Sequence, residues 1–350
     1  MKNLSWFNKV VFFFNIILAV LTFLAYALPF LAPKWFPLFS VFSLFLPFIL
    51  TINVLFFIYW LIQLKRQLIL SGLVLLLGIT FITKFYKFSE KNLQPSDKDF
   101  LVMSYNVRLL NLFDWIPRED VAQDIMNFIN ENNPDVLCIQ EYSTSASEKI
   151  DFKIYPYRAI FMHGDKIKTG NAIFSKFPIV NEGQLKFPKS NNDAIFADIK
   201  IGKDLIRVYD IHLESIKISP DVNEISENVD GIDERKSKQI FKRISEAFKK
   251  QQQQAEIIME HKKQSPYPNL LCGDMNNSAF SYVYRGIKGN MQDCFEVAGK
   301  GFGETYNFKL YPARIDYIFA DPKIKVKEFK NFPDFVNSDH LPIMSRMAIE

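Results

Sequence analysis

The stretch FVNSDHLPIM, residues 335 to 344, sets two titratable side chains, Asp339 and His340, directly before an apolar run in a chain that has only four histidines. Packing has no use for such a pair at the mouth of a strand, because a polar group taken out of water without a partner costs roughly 2–7 kcal/mol. The same intrusion recurs upstream: Asn106 in SYNVR, Glu141 in CIQEY, Asp210 and His212 in YDIHLES, Asp274 and Asn276 in CGDMNN, and Asp316 in RIDYIF. Side chains alternate along a strand, so Asp210 and His212 share one face, and Asp274 and Asn276 share another. Carboxylates gathered in one place repel unless a cation neutralises them, and carboxylate with amide oxygens suits hard Mg²⁺ or Mn²⁺. Histidines beside such an ion stand ready for proton transfer.

Outward from these sites, strand-like segments recur: FLVMSYNV, DVLCIQEY, YRAIFMH, GNAIFSK, AIFADIKI, LIRVYDIHL, NLLCGDMN, RIDYIFA, VKEFKNF and HLPIMSRMAI. Two helices interleave with them. One, from about Arg118 to Asn130, spaces Val121, Ile125 and Phe128 helically behind Pro117 and stops at Asn132-Asn133-Pro134. The other, from about Asp233 to Lys263, is long and polar with a thin stripe of Ile240, Ile244, Ala247 and Ile258. Residues 100–350 therefore read as an α/β domain, two packed sheets flanked by helices. Residues 89–99, SEKNLQPSDKD, are polar without an apolar period and read as a linker.

Residues 1–88 differ in kind. Uncharged apolar runs at 10–31, 37–62 and 67–83, with Lys34 and the Lys65-Arg66 pair between them, are each long enough or nearly so to cross ~30 Å of hydrocarbon. This predicts a multi-pass cell-membrane protein with about three transmembrane helices. Lys2, Lys9, Lys65 and Arg66 on one side nearly balance Lys34, Lys84 and Lys87 on the other, and the short Lys65-Arg66 turn tips the domain to the extracytoplasmic side. A net charge of +4 supplies no broad basic field for a polynucleotide. Cys138, Cys272 and Cys294 form no metal-spaced cluster, and the first two, in apolar strands, read as buried free thiols.

The polar strand ends, in this order, resemble the endonuclease/exonuclease/phosphatase superfamily, and the resemblance covers essentially all of residues 100 to 350. It implies a four-layer α/β sandwich, two mixed sheets packed face to face with helices outside, and a site at one edge of the sheets. It implies Mg²⁺ or Mn²⁺ bound by Glu141, with Asn106 and Asp339 near the same ion. By the same resemblance His340 pairs with Asp316, an activated water attacks phosphorus in line, Asn276 and His212 steady the phosphoryl oxygens, and Asp274 orients the water or assists the leaving oxygen. Whether the Asp274-type or His340-type residue is the base stays open at this level. Asn171 in GNAIFSK sits where the family has a motif near the cleft and is a candidate substrate contact.

The expected function is a membrane-anchored phosphoesterase acting on a phosphodiester or phosphomonoester, with a lipid or other membrane-proximal substrate. The alternative is an anchored nuclease acting on DNA or RNA. A non-catalytic binding protein reusing the fold fits less well, since binding alone gives no reason to keep so costly a cluster. No protein partner is inferable. His163 and His261 read as surface residues, the basic run RKSKQIFKRISEAFKKQQQQ as a solvated helix face, and Asp210 as a brace for His212 or a turn cap. The acidic segment 219–234 reads as a loop over the site or a surface insertion.

Overall fold

The computed structural model of the chain describes residues 4–144, 152, 154–217, 234–309 and 311–350; Lys2 and residues 219–233 of the acidic segment lie outside them. In the apolar N-terminal region, α1 (Trp6–Tyr26) leads through a short 3-10 turn into α2 (Pro37–Val41), then α3 (Leu46–Ile62), α4 (Leu68–Leu77) and α5 (Ile79–Phe85). Two stretches, Trp6–Phe30 and Pro37–Ile62, are long and apolar enough to cross a membrane, and a third counts if the bent pair α4 and α5 is one span. The run 67–83 was expected as one helix. Instead the two helices meet at a 70° bend, where a Cβ on Gly78 would overlap the Tyr26 hydroxyl.

Polar side chains in this region face one another. Asn15 donates to Ser71 (2.9 Å) and accepts from the Trp60 indole (3.0 Å), while Asn53 donates to Thr22 (2.8 Å). Such bonds hold helices together where lipid removes the hydrophobic drive for association. They also fix direction: Asn8 and Asn15 of α1 meet Tyr59 and Trp60 near the end of α3, and Thr22 meets Asn53. Thus α3 runs antiparallel to α1. Because Ser71 pairs with Asn15 and Val74 with Tyr26, α4 runs parallel to α1.

The remainder holds β1 (Asp99–Asn106), α6 (Val121–Asn132), β2 (Val136–Ser143), β3 (Tyr157–His163), β4 (Thr169–Ser175), β5 (Ile179–Lys186), β6 (Asp193–Ile201), β7 (Asp204–His212), α7 (Glu234–Lys263), β8 (Asn269–Asp274), α8 (Tyr282–Lys288), β9 (Gln292–Asp293), α9 (Cys294–Ala298), β10 (Asp316–Ala320), β11 (Ile324–Asn331) and β12 (Ile343–Ile349). They form two six-stranded sheets, ordered β11-β12-β1-β2-β4-β3 and β5-β6-β7-β8-β10-β9. Both are mixed: β1 with β2 and β7 with β8 are parallel, and the other pairs are antiparallel.

Val102, Cys138, Ile173, Ile195, Val208, Cys272 and Ile318 close the space between the sheets. The outer face of the first sheet packs on Val121, Ile125 and Ile129 of α6, and that of the second on Ala255 and Ile258 of α7 and Val283 and Ile287 of α8. This is the expected four-layer sandwich. All three cysteines are buried free thiols. The edge strand β5 was not expected, because IVNEGQLK shows no apolar alternation; its ladder with β6, not its own side chains, defines it.

Residues 89–99 contain no helix or strand before Asp99, yet they do not hang free. Lys91 and Leu93 donate main-chain bonds to Ala298 and Lys327, and Arg346 holds Asn92, Leu93 and Asp99. The sandwich also sits directly on the apolar helices: Phe280 packs among Ala25, Leu28, Leu46 and Leu50, and Val41 packs on Ile244 and Phe248. Arg314, buried and paired with Asp293 at 2.7 Å, donates to the Lys84 carbonyl.

Candidate active site

Strand ends from both sheets deliver the polar residues to one place. Asn106 closes β1, Glu141 lies in β2, His212 and Asp274 end the parallel neighbours β7 and β8, Asp316 opens β10, and His340 precedes β12. The register places His212 beside Asp274 and Asp274 beside Asp316. Gly273 permits this closeness: its φ is +134°, and a Cβ there would overlap the Ile211 carbonyl. Glu141 sits in a bulge, where the β2–β4 register shifts between Ile139 and Tyr142, with φ +52°. A left-handed backbone costs an ordinary residue roughly 1–2 kcal/mol, and here it turns a carboxylate out of the strand toward the cleft.

The Asn106 amide donates to Glu141 (3.3 Å) and Asp274 (3.2 Å), tying the two sheets. Asp274 accepts from the Asn276 main chain at 2.7 Å and from its side chain at 3.0 Å. His340 Nδ1 lies 3.0 Å from Asp316 Oδ2, and its Nε2 lies 3.6 Å from Asp274 Oδ2. His212 Nε2 stands 3.7 Å from both Glu141 and Asp274. Asp339 stands beside this group, 3.4 Å from Arg108 and bonded to Ser338, whose hydroxyl also donates to the Asn106 carbonyl.

Burial sets the electrostatics. It would discharge His340, but the facing carboxylates of Asp316 and Asp274 outweigh it and hold the imidazole protonated well above its usual range. Burial lifts the Asp274 carboxyl, Asp316 and Glu141 adding to the effect. His212 is pushed down by burial against the pull of Glu141, so it stays a neutral ring.

Among the described residues, Asp274, Asp316 and His340 form a buried group whose ligand atoms lie within 4.8 Å of one another. Two of the three are already committed to each other through the Nδ1 bond. Glu141 and Asp339 are the more open carboxylates, their side chains 31% and 30% exposed. Glu141 and the Asn106 side chain, with Asp339 close by, make an oxygen-rich donor set, and such a set fits a hard divalent cation.

Asn171 is placed differently from expectation. It is buried, and its amide donates to the Asp193 and Asp210 carbonyls at 3.3 and 3.4 Å, joining the sheets beneath the site. Asp210 neither braces His212 nor caps a turn: it takes a 2.5 Å bond from Gln140 inside the sandwich, where burial raises its carboxyl. His261 is not a free surface ring, since it bonds the Tyr209 hydroxyl at 2.9 Å and packs on Phe196. Residues that the strand pattern did not mark also shape the site. Gln251 of α7 donates to the Asn276 and Glu214 carbonyls and accepts from Asn277; Thr305 Oγ1 takes the Ile315 and Asp316 main-chain donors; Tyr306 packs edge-on against His340. Only the four-glutamine run hinted at Gln251, and composition gives a glutamine run no address.

A family model described as the Endonuclease/Exonuclease/phosphatase family matches residues 103–340. The chain belongs to this family. That span encloses every strand end described above. Residues 8–85 match a second model, a domain of unknown function (DUF8431). Comparison with curated proteins gives no match. Among solved endonuclease/exonuclease/phosphatase folds, D. rerio TDP2 complexed with a single-strand DNA product is 17% identical, with 72% of this chain and 99% of that one covered and a TM-score of 0.53. The human Nocturnin catalytic domain with bound sulfate is 15% identical, covering 76% and 98% at a TM-score of 0.53. The Bacteroides thetaiotaomicron mannosyl-6-phosphatase is 18% identical, covering 71% and 100% at 0.50. At these identities the likeness is one of fold.

Proposed function

We propose that the protein is a membrane-anchored, divalent-metal-dependent phosphoesterase that cleaves a phosphodiester or phosphomonoester by in-line attack of water. The observation that carries this reading is the meeting of Asn106, Glu141, His212, Asp274 and the His340–Asp316 pair at one edge of both sheets. Glu141, with Asn106 and Asp339 nearby, would hold Mg²⁺ or Mn²⁺. When bound, the ion polarises the phosphoryl group and stabilises charge that develops on its oxygens. The chain does the rest. Protonated His340, fixed by Asp316, offers Nε2 to a phosphoryl oxygen. Neutral His212 adds a donor beside it, while the Asn276 amide, bonded to Asp274 and to the Leu213 carbonyl, keeps Asp274 in place. Asp274, fixed by Asn276, faces the attacking water and accepts its proton. The apolar helices α1 and α3 fit a bilayer and hold the site at its surface.

The test is hydrolysis by full-length protein in liposomes, with Mg²⁺, Mn²⁺ or excess chelator, of phospholipids, inositol phosphates, DNA and RNA. Metal-dependent release of product from at least one phosphoester is expected. Equal rates with chelator would overturn the metal assignment. Selective cleavage of DNA or RNA would make the protein an anchored nuclease.

A further inference from the structure

The cleft that holds Asn276, Asp339, Arg108 and Tyr306 does not end at the polar residues. It is one cavity of about 600 Å³ that continues along an apolar wall of Ile240, Phe241, Ile244, Phe308, Phe45 and Phe48. That volume lies within the ~300–1,000 Å³ of ordinary small-molecule sites. Phe45 and Phe48 belong not to the sandwich but to the entry of α3, and they remain 46% and 37% exposed. Further along α3, Ile52, Leu55 and Ile58 are exposed as well, so the apolar surface runs from the face suited to lipid into the cavity. Aromatic edges brace the wall: Phe48 meets Tyr311 at 5.2 Å and Phe42 meets Phe241 at 5.9 Å.

We infer that this groove takes the hydrocarbon tail of a lipid phosphoester while its phosphate lies against Asn276, His212 and His340. The inference rests on the phosphoesterase reading above and names its substrate class. A hydrocarbon chain brings no polar atom that needs a partner against a wall of Ile and Phe, whereas among the described lining residues Arg108 and Lys217 alone are basic, too few to follow a polynucleotide backbone. Continuity with α3 identifies the occupant further. A headgroup drawn from a bilayer to the site would otherwise drag its first methylenes through water, at about a fourfold loss in affinity for each. The groove removes that exposure.

The experiment uses full-length protein in phosphatidylcholine liposomes and a series of p-nitrophenyl alkyl phosphates from methyl to hexadecyl. In each, the water oxygen bonds to phosphorus, the bond to the nitrophenyl oxygen breaks, and nitrophenolate leaves with the electron pair while the water proton passes through Asp274 to solvent. Wild type should show kcat/KM rising at least ~10-fold along the series, as methylene burial implies. Ile240→Gln and Phe308→Ser should flatten the rise and leave the methyl ester rate unchanged, which also shows that both variants fold. Partitioning of long esters into the bilayer is common to all forms, so loss of the rise in the variants reports the groove. A flat series in wild type, or a rise that survives both substitutions, overturns the groove assignment while leaving the phosphoesterase standing. No hydrolysis of the methyl ester, with p-nitrophenyl phosphate and single-stranded and duplex DNA also untouched, overturns the phosphoesterase reading and the groove with it.

Discussion

At Glu141 the chain accepts a left-handed backbone in mid-strand, and at His340 it buries an imidazole between two carboxylates. Neither choice serves stability. Glu141→Gln keeps the shape and the Asn106 bond but removes the charge that favours a cation; kcat should fall on the order of 100-fold and the Mg²⁺ requirement should rise, read by metal titration of the rate. Unchanged Mg²⁺ dependence would remove Glu141 from the metal site. Asp316 raises the proton affinity of His340, so the charged ring is present below its elevated pKa and lost as pH rises through it. Asp316→Asn lowers that pKa. The alkaline limb of the pH–rate profile should move down by roughly 1 to 2 units, and the acid limb should move down as well, because Asp316 also lifts Asp274. These residues were legible in the sequence because a charge at the end of an apolar strand has no packing explanation. Asn171, expected near the cleft by resemblance, also interrupts an apolar strand, and its amide bonds across the seam between the sheets.

Among the elements, β8 has little freedom. It runs parallel to β7 with Gly273 against the Ile211 carbonyl, and this approach holds Asp274 beside His212. Gly273→Ala adds a Cβ that overlaps backbone, at a φ that side chains rarely adopt. Destabilisation of at least ~2 kcal/mol is expected, with a loss of activity at temperatures where the variant is still folded, because Asp274 moves with the strand. Thermal unfolding alongside activity at low temperature checks both; a variant with wild-type unfolding temperature and rate would show that β8 tolerates the shift. The strands around this one were readable from their apolar runs. Edge strand β5 and the short β9 were not, since partners rather than their own residues define them. The bend between α4 and α5 was equally hidden: Gly78 is needed because Tyr26, 52 positions earlier, occupies the space a side chain would take.

For the whole molecule, the directions of the apolar helices bear on topology. With α3 antiparallel to α1 and α4 parallel to it, the N-terminus and the Lys65-Arg66 turn lie at one end of the bundle and the sandwich lies at the other. If basic residues stay in the cytoplasm, the sandwich stands on the extracytoplasmic side. A reporter active only outside the cytoplasm, fused after Asp99, should be active and a cytoplasm-active one silent; the reverse pattern would invert the topology. The sequence by itself determined the apolar region, the layered α/β sandwich, and the order of polar strand ends, because each is written in local periodicity or in a residue type that its surroundings cannot explain. Only the tertiary structure decided which polar residues meet. It made residues 89–99 a bonded strap rather than a loose tether, and brought Gln251, Thr305 and Tyr306 to the site. It also joined Phe45 and Phe48 to Ile240 and Phe308 in one groove. Each of these depends on contacts between distant parts of the chain, and no local pattern in a single sequence records which distant surfaces will touch.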